Sequence, residues 1–325
     1  MRLFSRKMTV SVRTMRADDI EEVRSVGQSA WSDLYSKEFR QNFQVPKRSR
    51  KNIEFYMDKE PEGCIVAEVD GRVVGDIFCH VWGKVGWFGP VEVMPNFQNS
   101  GIGKQLISVA LSYLQSKGCE IIGLETMPET LKNVVLYSNL GFAPDRVTYL
   151  MEKPLTGRDR NVSDLHTTGK VLNYGELGAE KALSSVRLLS ELSLHGLDYS
   201  NEVYYSMKHG TGETLFLLRD ESVVGFSLVY TYSTSDGSTN ASIRLLVASP
   251  SAGSGDINNL MSASEGVALE EDRDRMNIRF YTGNYRTFDI LRKRGYALKG
   301  TNIRMLHRGN IPANNEVVEI DSWAG

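Results

Sequence analysis

Runs that alternate between apolar and polar residues, and longer runs with an apolar residue every three or four positions, follow one another along this chain. The alternating run that begins at Val10 predicts a short strand, and the apolar positions that lead to Leu34 predict a helix after it. Residues 63–82 form two β-rich runs joined by Asp70-Gly71, a dipeptide typical of a hairpin turn. The first part of the chain, up to residue 82, is therefore predicted to contain both helices and strands.

The pattern continues through the rest of the first half. A strand ends at Pro95, and residues 103–117 carry an apolar face at helical spacing. Residues 119–127 favour a strand, residues 128–140 a helix that begins at a proline and ends before a glycine, and residues 146–153 a last strand. The predicted order is one strand, two helices, three strands, and then helix, strand, helix and strand.

A polar segment at 154–165 interrupts this pattern, and the same order of elements then recurs. Three pairs of similar segments lie at offsets of 150, 152 and 154 residues: 69–81 with 219–231, 100–103 with 252–255, and 136–144 with 290–298. Offsets this constant, in the same order, indicate two copies of one domain. We therefore predict a first domain at 1–155, a linker at 156–164, a second domain at 165–310 and a C-terminal tail at 311–325.

Composition narrows the function classes. The net charge of −2 over 325 residues gives no positive field for nucleic acid or for an anionic membrane, and no apolar run approaches membrane-spanning length. The three cysteines and five histidines lack the spacing of a metal site or of a disulfide framework. The start of the chain also lacks the apolar segment of a signal peptide, so we expect a cytoplasmic protein. Because of the spacing of the cysteines and histidines, we expect no metal site.

Two glycines follow the strand that ends at Pro95, at the start of the next helix. Gly101 and Gly103 could form a plain turn, or they could let backbone N–H groups approach an anion at the positive end of the helix dipole. A Walker loop is excluded because Gln105 stands where that motif has serine or threonine. A dinucleotide-binding fingerprint is excluded because Leu106 stands where it has a third glycine.

The residues around this loop form a recognisable pattern. Two motifs carry it: Gln98-x-x-Gly101-x-Gly103 and Tyr137-Ser-Asn-Leu-Gly141-Phe142. Together with the element order of residues 8–153, they resemble the GCN5-related N-acetyltransferase (GNAT) superfamily. The resemblance implies an α+β fold with two tandem acyl-CoA N-acyltransferase domains, each a mixed, mostly antiparallel sheet flanked by helices. It also implies acetyl-CoA as the cofactor, with its pyrophosphate on the glycine loop and its pantetheine arm along a splayed strand.

The resemblance also assigns the cofactor contacts. The matching positions in this chain are Val91, Val93, Gln98, Asn99, Ser100, Gly101, Ile102, Gly103, Lys104, Thr130, Asn133 and Tyr137. One position departs from the family, because the residue seven before the tyrosine is usually asparagine and here is Thr130, while Asn133 lies one turn later. Threonine can still donate a hydrogen bond, so the expected contact is weakened and not removed.

The reaction that the resemblance implies is direct attack of an amine on the thioester. A primary amine arrives mostly as ammonium and has to lose a proton, and the leaving thiolate needs a proton or a hydrogen bond. Tyr137 matches the general acid of the family, with a core role as the alternative. Glu92 and Glu125 are the candidate bases, with Asp76 and His80 behind them, and a water relay is also open.

The expected partner is a small-molecule or peptide amine acceptor, and the competing function is a non-catalytic acyl-CoA-binding regulatory or interaction protein. Trp31, Tyr35 and Phe39 recur every four residues. Such a stripe is usually part of a core. A place in the wall of the acceptor site is the less favoured interpretation of these aromatic residues.

The second copy lacks key residues of the first. Leu291 stands where the first copy has its tyrosine, and Pro250, which has no N–H to offer a phosphate, stands where it has Gln98. We therefore expect a second domain that is folded but not catalytic. Its expected role is to pack against the first domain and to close one wall of the acceptor cleft.

Overall fold

The computed structural model describes residues 9–38, 40, 42, 44–157 and 169–323, and the predicted order of elements is present twice. The first half contains β1 (Val10–Thr14), α1 (Ile20–Glu38), α2 (Arg50–Lys59), β2 (Cys64–Val69), β3 (Arg72–Trp82), β4 (Val85–Val93), α3 (Ile102–Ser116), β5 (Ile121–Thr126), α4 (Leu131–Asn139) and β6 (Ala143–Pro154). The second half contains β7 (Lys170–Asn173), α5 (Tyr174–Leu177), α6 (Ala179–Ser193), α7 (Ser200–His209), β8 (Gly212–Arg219), β9 (Ser222–Tyr230), β10 (Asn240–Ala248), α8 (Ser254–Glu270), β11 (Arg275–Tyr281), α9 (Tyr285–Lys293), β12 (Ala297–Arg308) and β13 (Val318–Asp321).

Local sequence signals explain where several of these elements begin. Asp70 and Gly71 both have positive φ, 49° and 78°, as the turn of the β2–β3 hairpin requires. Ser49 caps α2 by accepting a hydrogen bond from the backbone N–H of Asn52 at 3.2 Å. The apolar face predicted for α3 is buried against the sheet, with Leu106, among others, fully enclosed.

One mixed sheet runs through both halves, and the two copies exchange their last strands. The strand order is β1-β2-β3-β4-β5-β12-β6-β11-β10-β9-β8-β7. β12 of the second copy lies antiparallel to β5 of the first, with Ile303 opposite Thr126. β6 of the first copy lies antiparallel to β11 of the second, with Met151 opposite Ile278. The predicted boundary between 1–155 and 165–310 therefore does not separate two self-contained sheets, because each copy is completed by a strand of the other.

The segment 311–325, predicted as a tail, contributes a strand to the interior. β13 pairs antiparallel with β10, with Leu246 opposite Ile320. β9 pairs with one edge of β10 along these residues. β13 therefore pairs with the edge that faces β11, beyond the point where β10 and β11 separate. This strand therefore fills the gap between the two parallel strands of the second copy.

Buried charges hold the two halves together. Lys59 of α2 forms an ion pair with Glu202 of α7, and both side chains are buried. The same carboxylate accepts hydrogen bonds from the indole of Trp82 at 2.9 Å and from the hydroxyl of Tyr230 at 2.7 Å. Because neighbouring Lys59 and Arg244 favour the anion, the pKa of Glu202 lies well below its usual value although burial opposes this. The expected packing of the second copy against the first is thus present.

None of the described helices is long and apolar enough to cross a membrane. The three cysteines are all buried and free of disulfides. Within the residues that the structure describes, no group of three or more potential ligands could hold a metal ion.

Candidate active site

The candidate site begins where β4 and β5 separate. They pair as parallel strands only from Val85 to Trp87, opposite residues 121–123. Beyond this point β4 remains paired with β3, and the N–H of Met94 donates to Val74 on that side. Because hydrogen-bonding direction alternates along a strand, the backbone groups of Val91 and Val93 point into the gap. The sequence prediction of a splayed strand that offers backbone groups is consistent with this arrangement.

A loop rich in left-handed conformations closes one end of the gap. Asn99 and Gly101 have φ of 61° and 89°, and Gly101 lies directly before the first residue of α3. A Cβ on Gly103 would have only one neighbour within 4 Å, a methyl of Val93 at 4.0 Å, so packing within the protein does not require glycine there. The side chain of Gln98 donates to the carbonyl of Val93 at 3.1 Å and fixes the loop to the strand.

Such a loop suits a phosphate. The first N–H groups of α3 have no partner within the helix and point towards the loop. The helix dipole and the ammonium of Lys104, which has no ion pair in the described part of the chain, add positive charge at the same end. An anion with several oxygens therefore fits the mouth of α3.

The gap and the loop open into a cavity of about 700 Å³. The predicted site residues that line it are Val91, Glu92, Val93, Gln98, Asn99, Gly101, Gly103, Lys104, Glu125, Asn133 and Tyr137. Three predicted cofactor contacts have side chains elsewhere. Ser100 donates its hydroxyl to the carbonyl of Phe97, Ile102 is buried in the core, and the hydroxyl of Thr130 is buried at the start of α4.

Tyr137 lies on the wall of this cavity, near the end of α4. Its side chain is buried and packs edge-on against Phe142 at 6.0 Å between ring centres. Burial raises the pKa of Tyr137 to about 12. The phenol therefore remains protonated near neutral pH and can donate a hydrogen bond into the cavity.

The side chain of Glu92 extends from the face of β4 opposite to the side chains of Val91 and Val93, and it is buried. Its Oε1 accepts from the indole of Trp31 at 2.6 Å and from the guanidinium of Arg48 at 3.1 Å. A Cβ on Gly27 of α1 would lie 2.7 Å from Oε2, so glycine at 27 makes room for this carboxylate. Glu92 lines the 700 Å³ cavity beside the glycine loop and also a second cavity. It is thus placed where two ligands could meet.

Asp76 lies beside Glu92, directly across the β3–β4 ladder. Burial raises the pKa of Asp76 well above its usual value, and the negative charge of Glu92 adds to the effect, while the charge of Arg48 opposes it. The two carboxyl groups form a buried pair in which the surroundings of Asp76 favour its protonated form.

The other candidate bases have different surroundings. Glu125 is held by Arg304 of β12, whose Nη2 lies 2.9 Å from Oε1, and it also accepts from Thr148 at 3.1 Å. His80 is buried outside the cavities, stacked on Trp82 at 5.7 Å. Burial and nearby cations hold the pKa of His80 well below its usual value. Glu92 is therefore the better placed of the predicted bases.

The second cavity, of about 500 Å³, lies between the two halves. The first half supplies Trp31, Tyr35, Arg48, Tyr56 and Glu92, and the second half supplies Tyr230, Tyr232, Arg244 and Arg279, among others. Trp31 and Tyr35, for which a core role was the favoured prediction, are thus half-buried residues of a cavity wall. Phe39 falls outside the described residues.

Sequence reasoning missed the residues that the second copy adds to the site. Arg279 of β11 and Asn302 of β12 line the cavity beside the glycine loop, and Arg304 forms an ion pair with Glu125. Alternation within β11 and β12 indicates which residues share a face. No signal in the sequence shows that these strands cross into the sheet of the other copy.

The corresponding place in the second copy is occupied by the chain itself. β13 lies along β10 where a pantetheine arm would lie. Asp256 accepts from the N–H groups of Gly169 and Gly253, at 2.9 and 3.3 Å, and so puts a carboxylate at the start of α8. Leu291 is buried at the position of Tyr137.

The raised pKa of Asp76 predicts a pH-dependent effect of Asp76→Asn. A carboxyl group has a pKa of about 3.9 when unfolded. The folded protein therefore holds a proton that the unfolded chain has lost, and wild-type stability falls as pH rises above about 4 towards the folded pKa. We expect the melting temperature of Asp76→Asn minus that of the wild type to increase between pH 5 and 8.

Thermal unfolding across that range measures the effect. Asp70→Asn, in the exposed β2–β3 turn, is the matched control. An equal trend for both variants, or a constant difference for Asp76→Asn, would show that Asp76 is not held in its protonated form.

Part of this chain is similar in sequence to known proteins. Residues 29–142 match the acetyltransferase (GNAT) family. An uncharacterized N-acetyltransferase of Methanocaldococcus jannaschii is 25% identical over 162 residues, 45% of this chain and 66% of that protein. A mycothiol acetyltransferase of Frankia casuarinae is 29% identical over 123 residues, 34% of this chain and 35% of that protein. The matches thus span less than two thirds of the length of these two relatives.

Solved structures share the whole fold. A Pyrococcus horikoshii protein described as an acetyltransferase superimposes with a TM-score of 0.69 at 19% identity, over 99% of this chain and 97% of that one. A tandem GNAT protein from the clavulanic acid biosynthesis pathway gives 0.59 at 15% identity, over 94% and 100%. Residues 29–142 therefore match the acetyltransferase (GNAT) family, and the whole chain shares its fold with solved proteins that include a tandem GNAT protein.

Proposed function

We propose that this protein is an N-acetyltransferase that transfers the acetyl group of acetyl-CoA to an amine bound between its two halves. The observation that carries the proposal is one continuous cavity that joins the β4–β5 gap, the glycine loop and Tyr137. Glu92 lines this cavity and the second cavity as well. A thioester donor and an amine acceptor would therefore meet beside Glu92.

The donor would lie along the gap in an extended form. Its pyrophosphate would occupy the N-terminus of α3, where Gly101 and Gly103 leave open space. The amide groups of its pantetheine arm would pair with the backbone groups of Val91 and Val93 that face the gap, as an added strand does. The acetyl group would then reach the inner end of the cavity, near Tyr137 and Glu92.

The chemistry requires one net deprotonation. Glu92, which lines both cavities, accepts a proton from the ammonium of the acceptor. The nitrogen lone pair attacks the carbonyl carbon, a C–N bond forms, and the C–S bond breaks to release coenzyme A. A backbone N–H of the splayed strand stabilises the oxyanion that forms in between. The nitrogen loses its remaining extra proton, so one proton is released overall and one is taken up by the thiolate.

Tyr137 would act mainly as a hydrogen-bond donor to the leaving sulfur. A thiol has a pKa of about 8.5, below the value of about 12 for Tyr137. A phenol this weak does not give up its proton completely to a thiolate. The hydrogen bond still stabilises the developing negative charge, and the thiolate takes its proton from solvent on release. This refines the general-acid role expected from the sequence.

The second copy would not bind a donor. Its gap already contains β13, and Asp256 places a negative charge where a pyrophosphate would lie. Its contribution is the far wall of the acceptor cavity, through Tyr230, Tyr232 and Arg244. These observations support a single active copy, the first.

Gly103→Asp tests the donor loop. Because the new carboxylate would lie against the pyrophosphate, we expect acetyl-CoA binding, measured by calorimetry, to be lost. Gly103→Ala, whose Cβ has room, should retain part of the affinity. Gly266→Asp in α8, also in open space, is the control for an added aspartate. Wild-type affinity in Gly103→Asp would refute the loop assignment.

Tyr137→Phe tests the catalytic role. Loss of a hydrogen bond to a charged sulfur, worth about 1.5–3 kcal/mol, predicts a single-turnover rate about 10- to 100-fold lower. Affinity for acetyl-CoA should be unchanged. Tyr113→Phe, whose hydroxyl bonds to Glu60 away from the cavity, is the matched control. A wild-type rate for Tyr137→Phe would leave this tyrosine with a packing role only.

A further inference from the structure

We propose that the acceptor is an amine that also carries a carboxylate, and that Arg279 of the second copy binds this carboxylate. The inference rests on the proposed function and narrows its substrate class. It assigns a specificity-determining residue to the copy that lacks a donor site.

Arg279 forms no ion pair with any of the residues that the structure describes. No carboxylate lies within 4 Å of its guanidinium among the described residues, and its buried Nε has no hydrogen-bond partner. Burial lowers the pKa of Arg279, the charge of Glu125 opposes this, and the charges of Arg244 and Arg304 lower it further. An unpaired guanidinium in such a place is costly unless a ligand supplies the missing anion.

The position of Arg279 points to the acceptor. It lines the donor cavity and the second cavity, as Glu92 does. A ligand that enters the second cavity can therefore contact the carboxylate of Glu92 and the guanidinium of Arg279 while its nitrogen faces the donor. An ammonium group suits the first contact and a carboxylate suits the second.

Other charges on the cavity wall are already engaged. Arg48 is paired with Glu92 at 3.1 Å, and Lys299 lies 3.7 Å from Glu152. Arg244 lies 3.6 Å from Glu202. Among the described residues, the wall of the second cavity has more cations than carboxylates, and Arg279 is its cation that takes part in none of these pairs.

A carboxylate fits this guanidinium better than a phosphate does. The planar fork of arginine matches two carboxylate oxygens with two parallel hydrogen bonds. A phosphate would bring a larger charge close to Glu92 and Glu125, which lie on the same cavity wall. One planar anion of single charge balances one guanidinium.

The test compares amino acids with their amides, which differ only in the carboxylate, as acceptors. Thiol release from acetyl-CoA is measured for the wild type, Arg279→Gln and Arg279→Lys. Arg275→Gln, at the exposed start of the same strand, is the matched control. Melting temperature and acetyl-CoA affinity show whether each variant is folded with its donor site intact.

We expect wild-type kcat/KM to be about 10- to 100-fold higher for the acids than for the amides, the range expected of a hydrogen bond to a charged group. Arg279→Gln should remove that preference, Arg279→Lys should retain part of it, and Arg275→Gln should leave it unchanged. Equal rates for acids and amides in the wild type, or a preference that survives Arg279→Gln, would overturn the assignment. A preference for phosphorylated amines would overturn it as well.

Failure of the proposed function would give a different result. The protein would bind acetyl-CoA, and no amine in the panel would release thiol. Calorimetry with the coenzyme A complex then decides the carboxylate assignment alone. Binding of amino acids and not of amides, lost in Arg279→Gln, would support it, and equal or absent binding of both would refute it.

Discussion

The exchange of last strands is the constraint on which the rest of this structure depends. β6 lies between β12 and β11, and β12 lies between β5 and β6, so neither copy has a complete sheet of its own. Arg304 on β12 ties the exchange together, because its guanidinium pairs with Glu125 of the first copy at 2.9 Å and with Asp321 of β13 at 2.6 Å. The same guanidinium stacks over Trp323 at 4.3 Å. The relative position of the two copies is thus fixed by sheet hydrogen bonds and by a buried ion pair.

This constraint explains how one functional site can draw on both copies. In the proposed site, the groups that bind the donor come from β4, α3 and α4 of the first copy. The acceptor cavity needs a second wall, and the exchanged strands bring Arg279 and Arg244 of the second copy to it. In the proposed arrangement the second copy, whose own gap is filled by β13, contributes this wall and binds no donor.

The sequence predicted the parts of this arrangement that depend on local chemistry. A hairpin dipeptide and apolar spacing predicted the elements, and the glycine loop and Tyr137, predicted as donor contacts, line one cavity. Contacts between distant parts of the chain were not predictable in this way. Nothing in the spacing of Glu92 shows that Trp31 and Arg48 will hold it, or that Gly27 leaves room for it. The strand exchange has no local signal either, because β6 and β12 have the same pattern and could each pair within their own copy.

We propose that a chain with two copies of the fold has one donor site. Calorimetric titration of the full-length protein with acetyl-CoA tests it most directly, because the number of sites does not depend on the acceptor. We expect one molecule of acetyl-CoA bound per chain. Two molecules per chain would show that the second copy opens despite β13 and Asp256, and no binding would show that the gap beside β4 is not a donor site.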